Sequence, residues 1–142
     1  MINDTVNIKY LFHAPIPEVW NAWTDPAIIV KWFGSNPKGR GLYAHMNLKP
    51  GGKYEISFQE PEGAIHTCYG VYQNITEFQK LSFTWNWVSE PGVESFVTIL
   101  LFPEGGKTLM QFAHAHVGNK SMHNYLSGWT TTFDKLEALL DS

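Results

Sequence analysis

Six histidines and one cysteine are the side chains of this chain best suited to moving protons, attacking carbon or holding a metal. His114 and His116 lie two apart near the end of a strand-like segment, which puts both on one face. Such a pair can begin a metal site, but zinc takes three or four protein ligands. No third Asp, Glu, His or Cys adjoins the pair in sequence, although His123 follows a few residues on. His114 is therefore expected as a polar lining, bonded to backbone or water near a pocket mouth, and neither a metal nor a cofactor is expected. His66 and Cys68 share one strand face as well. Strand side chains at i and i+2 diverge too far to bond easily, and a Cys–His nucleophile needs that bond and an oriented base. Cys68 reads as a small buried residue, and His45 as an exposed one. Gly51–Gly52 and Gly105–Gly106 are turn pairs without the following helix that cradles phosphate. Glu60 and Glu62 flank a proline in a turn, and Glu90, Glu94 and Glu104 also sit near turns, so no carboxylate pair is set for acid–base work.

What remains is aromatic. Phe, Tyr and Trp make up 15% of the chain, and six of them are Trp. Tyr54, Tyr72, Phe83, Trp85, Met110 and Phe112 on strand faces, opposite Tyr125 and Trp129, form either a solid core or the lining of an apolar pocket. Its polar handles would be Tyr hydroxyls, His114 and Thr132. Trp20 and Trp23 are expected to pack short helices onto a sheet. Trp32 and Phe33 do the same or close one end of the cavity.

The elements that must position these side chains read as follows. Thr5–His13 alternates as a strand until Pro15 and Pro17 break it. Val19, Trp20 and Trp23 suit a short helix with Pro17 in its first turn. Asp25 caps a second one, with Pro26 first, that carries Ile28, Ile29, Trp32 and Phe33 and ends at Gly34. About six strands follow, at Leu42–Leu48, Lys53–Gln59, His66–Ile75, Leu81–Val88, Glu94–Phe102 and Lys107–Val117, separated by Pro/Gly turns. Their alternation calls for an antiparallel meander with one face packed and the other mostly solvated. On the outer face of Glu94–Phe102, Phe96, Leu100 and Phe102 form an apolar strip that marks a dimer contact or lies under the short helices. The expected state is a monomer or weak homodimer.

Tyr125, Trp129, Thr132, Phe133, Leu136, Leu139 and Leu140 recur at helical spacing and put an apolar stripe on a helix of about 20 residues, about 30 Å long. Asn119 and Ser121 are both suitable N-caps. Gly128 costs this helix stability and lets another backbone or bulky side chain come close. The fold class is α+β: a long C-terminal helix gripped by a curved antiparallel sheet.

The totals agree with one domain over 1–142 with a substantial core. Hydrophobic residues are 44% and charged residues 16% of 142, and the net charge is −3 without a Lys/Arg cluster, which argues against a nucleic-acid partner. No membrane span or signal peptide is visible, and with one cysteine no internal disulfide can form, so a cytoplasmic location is the default expectation.

PIPEVWNAWTDPAIIVKWFG (15–34) resembles the opening signature of the START-like, or helix-grip, superfamily. More narrowly it resembles the group named after the activator of the heat-shock-protein-90 ATPase. Pro50-Gly51-Gly52-Lys53-Tyr54, Gly70-Val71-Tyr72, Leu81-Ser82-Phe83-Thr84-Trp85, His114, and Gly128-Trp129 with Leu136 fall in the family's order, over roughly residues 5 to 141. The resemblance implies a sheet of six to seven strands wrapped round the last helix, two short helices after the first strand, and a cavity that relatives use for apolar molecules. A small apolar or aromatic ligand is thus the first functional expectation, lined by Trp32, Tyr54, Tyr72, Phe83, Trp85, Met110, Phe112, His114, Tyr125, Trp129 and Thr132. A chaperone partner in a stress-response role is the second. A cavity enzyme of the cyclase or hydrolase type, with His114 or a Tyr as acid or base, is the third.

Overall fold

The structure, a computed structural model, describes residues 4–90, 92–118 and 122–141. Strand β1 (Val6–Phe12) leads into helices α1 (Ile16–Thr24) and α2 (Pro26–Ile29). Strands β2 (Arg40–Met46), β3 (Lys53–Gln59), β4 (Ile65–Thr76), β5 (Lys80–Trp87), β6 (Glu94–Glu104) and β7 (Lys107–Ala115) follow, and helix α3 (Met122–Leu140) closes the chain. The seven strands form one antiparallel sheet in the order β1-β7-β6-β5-β4-β3-β2. Tight turns make β2 to β7 a meander, and β1 returns to the free edge of β7 with Val6 opposite His114 and Phe12 opposite Thr108.

The sheet curves where β4 bulges. Its pairing with β5 slips between Tyr72 and Asn74, which frees backbone donors that a flat ladder would satisfy. Hydroxyls of β5 accept them: Asn74 N–H donates to Ser82 Oγ at 3.1 Å and Val71 N–H to Thr84 Oγ1 at 2.9 Å. At Gly70 a Cβ would stand 2.1 Å from the Thr84 carbonyl oxygen, so only glycine lets the two strands meet there. The bend also buries Ser82, Thr84 and Asn86. This corrects the expectation of a mostly solvated outer face at β5, since the polar side chains there are used up on backbone groups. On β6, by contrast, Phe96 and Leu100 are half-buried and Phe102 exposed; Ile16 at the start of α1 shares a hollow with Leu100 and Phe102, while Trp23 of the same helix stacks on Phe112.

Other differences are local. The second short helix stops at Ile29 rather than running to Gly34. Three-residue turns, Lys31 N–H to Ile28 O and Trp32 N–H to Ile29 O, tighten the chain after Ile28-Ile29-Val30, a β-branched run that favours helix weakly. The turn swings Trp32 into the core, where its Nε1–H donates to Ala22 O at 3.1 Å. Strand β7 ends at Ala115, because His116 takes a left-handed conformation (φ 64°) that breaks the alternation. The expected caps Asn119 and Ser121, and the side chain of His123, lie outside the described residues.

Helix α3 lies in the concave face with the stripe inward: Trp129, Thr132, Phe133 and Leu136 are buried, and Tyr125, Leu139 and Leu140 half-buried. Tyr10 and His13, from the β1 end of the sheet, bond Asp134 and Glu137 on its flank. Trp129 sits at the centre, 4.7 Å from the ring of Phe112, 5.2 Å from Trp85 and 5.6 Å from Phe133. Truncating so large a buried ring costs about 3–5 kcal/mol, against a whole-domain stability of about 5–15 kcal/mol. Trp129→Ala is expected to lower the melting temperature by many degrees or abolish soluble expression, Trp129→Phe to be milder, and Thr131→Ala to matter far less. A Trp129→Ala protein that melts within a degree or two of wild type contradicts this packing.

Candidate functional site

The interior divides into a filled part and an open part. Under α1 and α2, Trp23, Ile29, Tyr54, Ile56, Tyr72 and Phe83 leave a void of only about 10 Å³, the threshold for one water. Tyr54 Oη–H donates to Thr84 O at 2.6 Å and is spent. Trp32, Met110 and Phe112 are also packed solid, at 0–2% exposure. Toward the N-terminal half of α3 the packing opens into a cleft of about 270 Å³. Its walls come from Phe33, Gly34 and Ser35 after α2, Phe58 of β3, and Trp85 and Trp87 of β5. Glu90 stands on the β5–β6 turn, and α3 contributes Asn124, Tyr125, Gly128, Trp129 and Thr132.

Four of the eleven expected pocket residues therefore meet in this cleft: Trp85, Tyr125, Trp129 and Thr132. Trp32, Tyr54, Tyr72, Phe83, Met110, Phe112 and His114 lie elsewhere, in the filled core. Phe33, Phe58, Trp87 and Gly128 were absent from the expected set. Phe58 and Trp87 continue the inward faces of Tyr54–Ile56 and Phe83–Trp85, so alternation already held their side of the sheet. Nothing in the sequence said that the strand ends, rather than their middles, face the open space.

The cleft keeps its shape through one clamp. Lys135 Nζ donates to Gly34 O at 3.0 Å and Asn36 O at 3.1 Å, which fastens the 34–36 segment to α3. Partial burial lowers the pKa of this lysine. One and two turns earlier, Thr132 and Gly128 face the same segment. A Cβ at Gly128 would lie 3.4 Å from Ser35 Cβ, so the expected close approach is made by Ser35. The Thr132 hydroxyl donates to Gly128 O at 2.7 Å and so brings no free proton to the cleft.

His114 is fully buried behind the cleft, and its partners are side chains rather than the expected backbone or water. An indole N–H only donates. Trp129 Nε1–H therefore gives its hydrogen to His114 Nδ1 at 3.0 Å, and the ring proton must sit on Nε2, which donates to Ser95 Oγ at 2.7 Å. Ser95 in turn points at Trp85 O, 3.4 Å away. With both nitrogens engaged, His114 has none to spare for a bound molecule. His116 is not on the same face: it is exposed, with its ring against Phe96 on the outside of the sheet. Among the described residues no three His, Cys, Asp or Glu side chains converge. Cys68 is fully buried, and burial pushes its thiol well above the usual range. His45 is exposed. No described helix is long and apolar enough to cross a membrane.

Two larger hollows open on the surface. One, of about 530 Å³, lies over Gly70 between Tyr69, Glu55 and Asn86, and the other, of about 510 Å³, beside Phe78 and Phe102. Neither has the continuous aromatic wall of the cleft, where the Phe33, Phe58, Trp85, Trp87 and Trp129 rings stand 5.1–6.0 Å from their neighbours.

Burial lowers the His114 pKa from 6.5 to about 3. The unfolded chain takes up this proton below about pH 6.5 and the folded chain does not, so protons favour unfolding. The stability tied to neutral His114 is whole above about pH 6.5 and falls by up to about 1.4 kcal/mol per pH unit as pH drops toward the folded value. His114→Gln is expected to be less stable than wild type at pH 7.5, with the gap narrowing by about 2 kcal/mol at pH 5 in urea unfolding. A gap independent of pH contradicts a buried neutral His114.

Solved structures share the fold over nearly the whole chain. A Nitrosomonas europaea protein matches at TM-score 0.84 and 24% identity, covering 99% of this chain and 97% of its own. A Chromobacterium violaceum protein matches at 0.85 and 20%, covering 98% of each. The solution structure of an AHSA1-like protein from Aeromonas hydrophila matches at 0.81 and 20%, covering 96% of this chain and 92% of its own. At these identities the likeness shows the fold alone. No curated protein matches significantly. The family model described as "Activator of Hsp90 ATPase homolog 1-like protein" matches residues 13–141, and with it the chain belongs to that family of helix-grip proteins.

Proposed function

We propose that the chain binds a small apolar or aromatic molecule in the cleft between α3 and the sheet. The observation that carries this reading is the lining: six aromatic rings around about 270 Å³, with Glu90 as the one charged side chain among the lining residues. The volume falls just below the ~300–1,000 Å³ of drug-sized pockets, which suits a small ring system rather than a long acyl chain. Apolar burial contributes about 25 cal/mol per Å². Area alone does not set affinity, and the Lys135 clamp favours binding by ordering the wall beforehand.

Docking on a heat-shock-protein-90 chaperone is the second reading, favoured by the family match; co-precipitation with that chaperone separates the two. The enzyme reading loses His114, whose nitrogens are both bonded, and is left with a tyrosine, Tyr125, as its acid–base candidate.

Gly128→Ala tests the cleft without breaking the fold. The methyl group enters the cleft within contact of Ser35, while alanine improves the helix by up to about 1 kcal/mol. The variant is expected to melt at or above the wild-type temperature, yet to bind a neutral naphthalene probe several-fold more weakly and to lose small molecules that mass spectrometry finds in wild-type extracts. Undiminished probe binding in this variant contradicts the proposed site.

A further inference from the structure

The cleft holds more hydrogen-bonding capacity than an apolar lining needs. Tyr125 Oη accepts the Trp87 Nε1–H at 2.8 Å, so its own proton points elsewhere, and no acceptor for it is found among the described residues. Burial raises the pKa of this hydroxyl, which therefore keeps its proton at neutral pH. Trp85 Nε1–H is buried and makes no hydrogen bond, with the residue only 3% exposed. It leans on the same Tyr125 oxygen that Trp87 bonds, too loosely for an ordinary hydrogen bond, and its burial leaves no room there for an atom of a bound molecule. A buried donor without a partner costs free energy and is rare in native proteins. The Tyr125 Oη–H thus stands on the cleft wall with nothing among the described residues to receive it.

Resting on the reading of this cleft as an apolar binding site, we propose that its occupant is a neutral aromatic molecule bearing a carbonyl oxygen, which accepts from Tyr125 Oη–H. A carbonyl oxygen accepts and carries no hydrogen of its own, which matches a hydroxyl whose oxygen is already taken by Trp87 and whose proton alone is left to give. A carboxylate would bring charge into a lining whose one ionised group, Glu90, is itself negative. The flat body follows from the rings around it, since aromatic faces and edges pack best on other rings.

Tryptophan fluorescence titration with 2-acetylnaphthalene, 2-ethylnaphthalene and 2-naphthoate tests this, because the three share one body and differ in the oxygen. The ketone is expected to bind about tenfold more tightly than the hydrocarbon, and naphthoate most weakly. Tyr125→Phe is expected to bring the ketone toward the affinity of the hydrocarbon while leaving the latter unchanged. The infrared carbonyl stretch of the bound ketone is expected to fall below its value in an alkane solvent. That shift, with the ketone-to-hydrocarbon ratio in wild type, decides the matter should the variant fold poorly. Equal affinities with an unshifted carbonyl overturn the Tyr125 hydrogen bond but leave the apolar site standing, and tightest binding of naphthoate overturns it too. Failure of all three probes overturns the apolar site and this inference with it.

Discussion

The hydrogen bond from Trp129 Nε1 to His114 Nδ1 ties the long helix to the floor of the sheet. An indole buried among Phe33, Trp85, Phe112 and Phe133 is worth much apolar burial, but its N–H must be met. His114 meets it only as a neutral ring with the proton on Nε2, and that proton then needs Ser95. The helix, β7 and β6 are thus joined by a chain in which each donor has one acceptor. Shifting α3 by a single turn would strand an indole N–H and an imidazole nitrogen in a dry core, so this chain fixes the position of the helix as well as its attachment.

With α3 fixed there, its N-terminal half overhangs the ends of β3 and β5, and the cleft is what the overhang leaves. On the other side of Trp129 the short helices fill the space with Trp23 and Trp32, down to about 10 Å³. On the cleft side the helix offers Gly128 where a larger residue would close the gap, and Lys135 holds the facing segment in place rather than letting it collapse inward. The same molecule therefore carries a filled core and an open, aromatic-lined cleft, divided by one tryptophan.

Much of the fold was legible because the periods are clean. The stripe from Tyr125 to Leu140 turns inward as its spacing requires, and β3 spans the residues its alternation marks, Lys53 to Gln59. The site was less legible. A period of two tells which side of the sheet a residue faces, not how far along the concave surface it lies. Tyr54 and Phe58 are equivalent to that pattern, yet one is sealed under α2 and the other walls the cleft. His114 and His116 failed for a different reason: a left-handed backbone at position 116 breaks strand periodicity. The partners of His114, Ser95 and Trp129, are near only once the sheet has folded.

The most direct test of this account is the nitrogen-15 spectrum of the His114 ring in the folded protein, since the placement of α3 rests on its tautomer. The account predicts a protonated Nε2 and a bare, hydrogen-bonded Nδ1, both unchanged as the pH is lowered from 7.5 to 5. A proton on Nδ1, or titration near the ordinary histidine value of about 6.5, would contradict it.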